Sequence, residues 1–281
     1  MTIQTFPEIK PKGARMVPTP LGDLSVRIMG HGPRQIVLWP SILTDSHIFD
    51  VLAEKLADSA TFVLIDGPGH GRSPGTGREF TGADAGRAML AVMDAMGIRR
   101  AVVGGVSGGG LAAAEVAFAA PDRVEALILM NTPMDIDGTG PGFGDRMIAF
   151  GARWMIGWKF FRDGVARRFF DADIPRRNPA YHARFHAMLA GADRRRLAAA
   201  VRSVILRGEP LRGRLKDLSV PTLMISGSAD SLYPLESQAE AALRIPNGHF
   251  APVPGHHISP VDAPGDVARL LQDFLTERAA A

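Results

Sequence analysis

The sequence predicts an α/β fold: a mostly parallel sheet with helices on both faces and an all-helical insertion near its middle. Three observations predict it. Short, continuously apolar runs alternate with helical patterns through the first half of the chain. The alternation stops near Met134 and resumes at Pro221, and the interval between them reads as helix alone. Unbroken apolar runs are what strands buried on both faces require, so the sheet is expected to be covered on each side.

Taken in order, residues 17–29 read as a β-hairpin around the turn Leu21-Gly22-Asp23. Ile36-Val37-Leu38 precedes a periodic stretch at 46–57, and a strand at 61–65 precedes a Gly/Pro loop and a helix over 82–96. The run at 101–105 leads into a helix over 108–120, and 124–130 closes the first half. Inside the insertion, helices are expected over 148–161, 165–170 and 180–206. Strand-like runs at 222–226 and 249–253 resume the series, and 266–278 forms an amphipathic closing helix behind Pro264. The division is therefore 1–133 and 216–281 for two halves of a core, with 134–215 as a helical lid.

Composition narrows the function classes. With 281 residues, 46% of them hydrophobic and 22% charged, the chain can bury a full core. The net charge of +3 comes with acidic residues interspersed nearly everywhere, which does not describe a nucleic-acid platform. The absence of cysteine excludes disulfides, thiolate metal sites and a cysteine nucleophile together. Residues 1–16 carry prolines and charges without an apolar leader, and no apolar run is long enough to cross a bilayer. The expectation is a cytoplasmic monomer or homodimer, with neither nucleic acid nor membrane as a partner.

The chemistry is concentrated at one turn. The pattern G-x-S-x-G occurs twice, where chance supplies about 0.15 matches. In Gly71-Arg72-Ser73-Pro74-Gly75 a proline follows the serine and no strand leads in, so that copy reads as a loop. In Gly105-Val106-Ser107-Gly108-Gly109 a β-rich run enters and an alanine-rich helix leaves. A sharp strand-to-helix turn lifts a serine oxygen clear of a sheet, and the N–H of Gly108 at the new helix's start can face a developing oxyanion. Ser107 is the candidate nucleophile; the plain structural alternative is a glycine-rich packing turn.

Such a serine needs a base and a group that holds the base in the right tautomer. Asp230, in Gly227-Ser228-Ala229-Asp230, follows the strand at 222–226 and is the candidate acid, although turn aspartates are also common on surfaces. For the base, His256 and His257 are adjacent and equally placed after the last strand. His249 begins that strand, while His31, His47 and His70 precede the serine. His182 and His186 stand four residues apart on an expected helix, where two ligands without a third favour packing or surface roles over a metal.

These residues resemble the α/β-hydrolase superfamily over residues 17–275, which implies a mostly parallel eight-stranded sheet with helices on both faces and a helical lid. Asp66-Gly67-Pro68-Gly69-His70-Gly71-Arg72-Ser73 looks like the family's D-x-x-G-x-G-x-S loop, and the segment from Pro221 to Asp230 looks like the strand delivering its acid. Relatives carry Gly-His followed seven residues later by Pro; here His257 precedes Pro264 by seven. The resemblance therefore implies His257 as the base, with His256 in place of a glycine. Where relatives have His-Gly after the third strand, this chain has Trp39-Pro40-Ser41. That places the second oxyanion N–H at Ser41, whose hydroxyl is a further candidate donor. The loop running on to Asp45 is similar to the N-S-L-G-T loop of 3-oxoadipate enol-lactonases.

The resulting expectation is a cofactor-independent serine hydrolase cleaving a carboxylic ester or lactone with an apolar portion through an acyl-enzyme. Trp39, Ile42, Trp154 and Trp158 are the candidate substrate contacts, and no metal is invoked. Carbon–carbon bond hydrolysis, perhydrolysis and acyl transfer use the same groups, and relatives that act as small-molecule receptors form a non-enzymatic alternative. Dehalogenases and epoxide hydrolases carry Asp at the elbow, where this chain has Ser107.

Overall fold

The computed structural model describes residues 14–134, 141–208 and 211–280, excluding the side chains of 278–280. The stretch expected to carry no leader lies almost wholly outside these residues, as do 135–140 and 209–210 of the expected lid. Eight strands form one sheet: β1 (Arg15–Val17), β2 (Leu24–Gly30), β3 (Arg34–Trp39), β4 (Ala60–Ile65), β5 (Ala101–Val106), β6 (Val124–Met130), β7 (Thr222–Gly227) and β8 (Gly248–Val253). Their spatial order is β1-β2-β4-β3-β5-β6-β7-β8. The pairs β1–β2 and β2–β4 are antiparallel, and every pair from β4 to β8 is parallel.

The central strands β4 and β5 are buried at every position, as strands covered on both sides must be. Alternate residues feed two cores. Ile36, Leu38, Val102, Ile128 and Ile225 face one layer with helix α1 (Asp50–Lys55), α10 (Ser259–Asp262) and α11 (Pro264–Ala280). Val37, Val103, Leu127 and Leu129 face the other, with α2 (Gly82–Ala95), α3 (Gly108–Ala119) and α9 (Leu235–Leu243). Among the described residues no helix is long and apolar enough to cross a membrane.

Between β6 and β7 lie α4 (Phe143–Trp154), α5 (Lys159–Phe169), α6 (Ile174–Arg177), α7 (Pro179–Gly191) and α8 (Arg194–Ile205), the all-helical segment expected as a cap. Two expected helices here are each broken. The one expected over 148–161 ends at Trp154, and the Trp158 N–H closes a turn on the Met155 carbonyl (2.8 Å) before α5 starts. The one expected over 180–206 stops because Asp193 caps a new helix, accepting the N–H groups of Arg195 (2.9 Å) and Arg196 (3.1 Å). An Asp ahead of a periodic run is a start signal that the surrounding alanines obscure. Helices α6, α9 and α10 have no counterpart among the sequence expectations, being short or weakly periodic.

The cap is joined to the core by packing and by specific bonds. Phe169, Phe170, Tyr181 and Phe185 are buried in the same core cluster as the sheet, with edge-to-face ring contacts from Phe170 to each of the other three. Arg184 meets the buried Asp45 at 2.9 Å, Arg202 meets Glu79 at 2.7 Å, and the Phe80 N–H donates to Ser203 Oγ (2.9 Å).

Candidate active site

Parallel strands point their C-terminal ends one way, so the loops after β3, β5, β6, β7 and β8 gather at one edge of the sheet. Ser107 follows β5 with φ 54° and ψ −119°, a conformation that most side chains avoid. Its N–H donates to the Met130 carbonyl (2.9 Å), and its own carbonyl accepts from Leu111 N–H (3.2 Å) as the first bond of α3. The glycines beside it are dictated by contact. A Cβ on Gly109 would lie 2.0 Å from the Trp39 carbonyl oxygen, and one on Gly105 2.5 Å from the same atom. Only glycine lets the loop after β3 press against the start of α3.

That loop carries Ser41, buried and with its Oγ unpartnered. The loop is held from below by His70. Its Nε2 accepts the Leu43 N–H (2.8 Å), and its Nδ1–H donates to the Pro68 carbonyl (3.0 Å), which fixes the neutral tautomer. Burial lowers the His70 pKa to about 4, outweighing the Pro68 hydrogen bond and the Asp66 charge. Leu43 itself sits at φ 60°, so this hydrogen bond anchors a strained residue. Ser73, the serine of the second G-x-S-x-G, is buried; its Oγ accepts from Ser25 N–H (2.8 Å) and donates to the Asp66 carbonyl (2.7 Å). It is structural.

Asp230 and His257 meet across the turns after β7 and β8, with Nδ1 2.9 Å from Oδ2 and both side chains buried. The same Oδ2 accepts from Asn131 Nδ2 (3.0 Å), and Oδ1 accepts from Leu232 N–H (2.9 Å). Burial raises the Asp230 pKa, but the hydrogen bond and charge of His257, with help from Asn131 and Leu232, leave it below the ordinary carboxylate value. An ionised carboxylate requires Nδ1–H on His257 and so leaves Nε2 as the imidazole's acceptor. The ring packs between Phe169 (centroids 5.3 Å apart) and Tyr233 (5.4 Å). The Ile258 N–H donates to the Phe169 carbonyl (3.0 Å), so the cap grips the loop that carries His257. The His256 ring is turned elsewhere, with Nδ1 3.7 Å from Asp262.

Two residues in this network went unnoticed in the sequence. Asn131, at φ 48° after β6, bridges Asp230 to the His256 carbonyl (3.1 Å). A polar residue straight after the apolar run 124–130 was the available signal. Asp262 accepts the N–H groups of His256 (2.6 Å) and Asp171 (3.1 Å), joining the loop after β8 to the cap. Burial raises its pKa above the usual value, despite those two backbone hydrogen bonds. No local pattern announces that role.

A cavity opens beside the loop after β3, lined by Trp39, Ser41, Ile42, Gly108, Leu111 and Val204 among others. Val204 of α8 lies directly over the helix start, since a Cβ on Gly108 would meet its Cγ1 at 2.8 Å. The structure thus brings Trp39 and Ile42 to the same cavity as Ser41 and Gly108. Trp154 and Trp158 do not line it; each is more than half exposed on the cap. His182 and His186 face each other with Nε2 atoms 3.2 Å apart, and among the described residues no group of three or more His, Asp or Glu is arranged to hold a metal. A serine on a strained elbow, an imidazole with an ionised partner, and N–H donors at a helix start are the parts needed for acyl chemistry.

Similarity to known proteins agrees with this geometry. The model of the alpha/beta hydrolase fold family matches residues 35–264. The chain is 26% identical to 3-oxoadipate enol-lactonase 1 of Acinetobacter baylyi, across 90% of this chain and 92% of that one. It is 27% identical to a pimeloyl-[acyl-carrier protein] methyl ester esterase of Yersinia enterocolitica, across 88% and 95%. The solved enol-lactonase of Burkholderia xenovorans superposes with a TM-score of 0.81 at 27% identity, across 90% and 96%. A match that spans strand β3 to the start of the last helix includes Ser107, Asp230 and His257, and the chain belongs to the alpha/beta hydrolase family.

Proposed function

We propose that this protein is a cofactor-independent serine hydrolase that cleaves an uncharged carboxylic ester or lactone. The observation carrying the proposal is the buried His257–Asp230 pair (2.9 Å) at the same sheet edge as the strained Ser107. In this reading Ser107 Oγ attacks the carbonyl carbon while His257 Nε2 takes its proton. The N–H groups of Ser41 and Gly108 hold the oxyanion, with the unpartnered Ser41 hydroxyl as a third donor. His257 then passes the proton to the leaving oxygen, and a water repeats the sequence to release the acid. Asp230 keeps the imidazole in its tautomer and stabilises the cation that forms.

The cavity beside the oxyanion site supports an uncharged substrate arm. Its walls are mainly apolar, and the arginines near it are already matched: Arg207 pairs with Glu79, and Arg214 pairs with Glu115 through contacts of 2.6 and 3.2 Å. Enol-lactones of 3-oxoadipate carry a carboxylate, which two compensated ion pairs are poorly suited to receive.

The test is hydrolysis of p-nitrophenyl butyrate and of its carboxylate-bearing counterpart, the hemisuccinate, together with fluorophosphonate labelling. The wild-type protein should turn over repeatedly, prefer the neutral ester and take the label. Ser107→Ala should lose the label and at least about 10³-fold in kcat. Undiminished hydrolysis by Ser107→Ala overturns the mechanism, and a single turnover points to a receptor. Preference for the hemisuccinate overturns the uncharged arm alone.

A further inference from the structure

The cap wears its large side chains on the outside. Along α4, Phe143, Met147, Phe150 and Trp154 recur at intervals of four, three and four residues, which stacks them in one stripe. All four are exposed, Phe143 by 81% and Trp154 by 55%. The buried positions of the same helix are Ala149, Gly151 and Ala152, the small residues. Trp158 and Phe160, whose rings contact each other at 5.6 Å, add two more exposed aromatics where α5 begins. A protein surface seldom leaves so many large apolar side chains exposed along one helix and the start of the next unless something covers them.

Charge identifies what covers them. From residue 141 to 208 the chain has fourteen arginines and lysines against five aspartates, a net +9 that becomes +7 when Asp45 and Glu79 of the core, which pair with Arg184, Arg202 and Arg207, are counted, while the whole chain carries +3. Arg146 and Arg153 are spaced seven apart and flank the stripe on α4, and Arg153 stacks on the Trp154 ring at 4.2 Å. The exposed Lys159, which pairs with Asp163 at 2.8 Å, stands between Trp158 and Phe160 in the chain. Two such caps repel each other, which disfavours a second copy face to face. A stripe of Trp, Phe and Met edged by Arg and Lys matches an anionic bilayer surface, where the rings enter the headgroup layer and the cations meet phosphates.

We propose that α4 and the start of α5 form a docking surface for anionic lipid bilayers. This revises the expectation of no membrane partner, which rested on the roughly 20 apolar residues that spanning requires; lying on a surface needs only one stripe. The proposal stands independently of the hydrolase reading.

Vesicle co-sedimentation tests it, read alongside tryptophan emission. Trp39 is buried, so changes in emission report Trp154 and Trp158. Vesicles of equimolar phosphatidylcholine and phosphatidylglycerol should bind the protein with a blue shift, and phosphatidylcholine alone should not. Phe143→Ala/Phe150→Ala should weaken binding about tenfold or more with far-UV circular dichroism and Tm unchanged. Arg146→Glu/Arg153→Glu, or about 0.5 M salt, should do the same through the charge. No binding to either vesicle overturns the proposal, as does salt-insensitive binding to both. Self-association in sedimentation velocity that the phenylalanine variant abolishes, without vesicle binding, would assign the stripe to a second copy instead.

Discussion

The sheet edge and the cap surface follow opposite rules. At the edge, side chains with functional chemistry are buried and each polar contact is specific: Asp230 receives four hydrogen bonds, and His70 ties Leu43 to Pro68 through two. On the cap the large side chains are exposed, and the charges run strongly positive while the rest of the chain carries a net −6. The difference shows where precision is needed. Acyl chemistry depends on groups held to fractions of an ångström, which packing and buried hydrogen bonds supply. A surface that meets a fluid or variable partner needs only composition and periodicity.

If that contrast is right, substitutions should grade from the edge outward. The largest effect is expected from Asp230→Asn, which keeps the shape but imposes the wrong tautomer on His257; kcat should fall by about 10⁴ in steady-state assays. Asn131→Ala removes one donor from the same carboxylate and should cost about ten- to a hundredfold in kcat with little change in KM. A loss no larger than twofold would show that the carboxylate needs no such support.

Next comes the loop under Ser41. His70 has a folded-state pKa of about 4 against 6.5 for the free side chain. The unfolded chain therefore binds more protons between these values, and stability falls as pH drops from 6.5 to 4, by about 3 kcal/mol in all. Asp262, raised above 3.8, acts with the opposite sign, destabilising as pH rises through its window, and Asp230 contributes only below 3.8. Urea unfolding of wild type and His70→Gln at pH 7.5 and 4 isolates the histidine: the variant's pH slope should be flatter by that amount.

A smaller effect tests the point where cap and edge touch. Gly108→Ala forces a methyl against Val204, costing about 2 kcal/mol of stability and lowering kcat. Adding Val204→Ala should recover most of it; failure to recover would mean that the glycine serves the backbone and not the cap contact. The smallest effect is Trp154→Ala, which should shift stability by less than about 0.5 kcal/mol in urea unfolding, since its side chain is largely in solvent. A larger loss would place the stripe among packed residues and weaken the contrast itself.

Much of the edge was legible beforehand because its signals are local. Strand, elbow and helix are consecutive at 101–119, and the order Ser107, Asp230, His257 can be read along the chain. Choosing His257 over His256 required resemblance to relatives, because adjacent residues have the same sequence neighbourhood; the structure separates them by pointing one ring at Asp230 and the other at Asp262. In the cap, the break after Trp154 carries no side-chain cap to announce it, and the cap signal of Asp193 is hidden because alanine and arginine continue the helix pattern on both sides. Phe143, Met147, Phe150 and Trp154 follow helical spacing in the sequence, yet spacing alone does not say which face turns inward.

By itself the sequence determined the buried strands, the glycines that let the chain turn at Ser107, the order of the candidate catalytic groups and the positive charge of the cap segment. These are properties of single residues and near neighbours, fixed by hydrophobicity, backbone freedom and charge. The tertiary structure alone decided that Asn131 and Asp262 brace Asp230 and the His256–His257 loop, that His70 carries the loop of Ser41, and that Val204 rather than Trp154 or Trp158 overlies the helix start. Each of those depends on contacts between residues far apart in the chain, and only the closed sheet and its docked cap bring them within a hydrogen bond's reach.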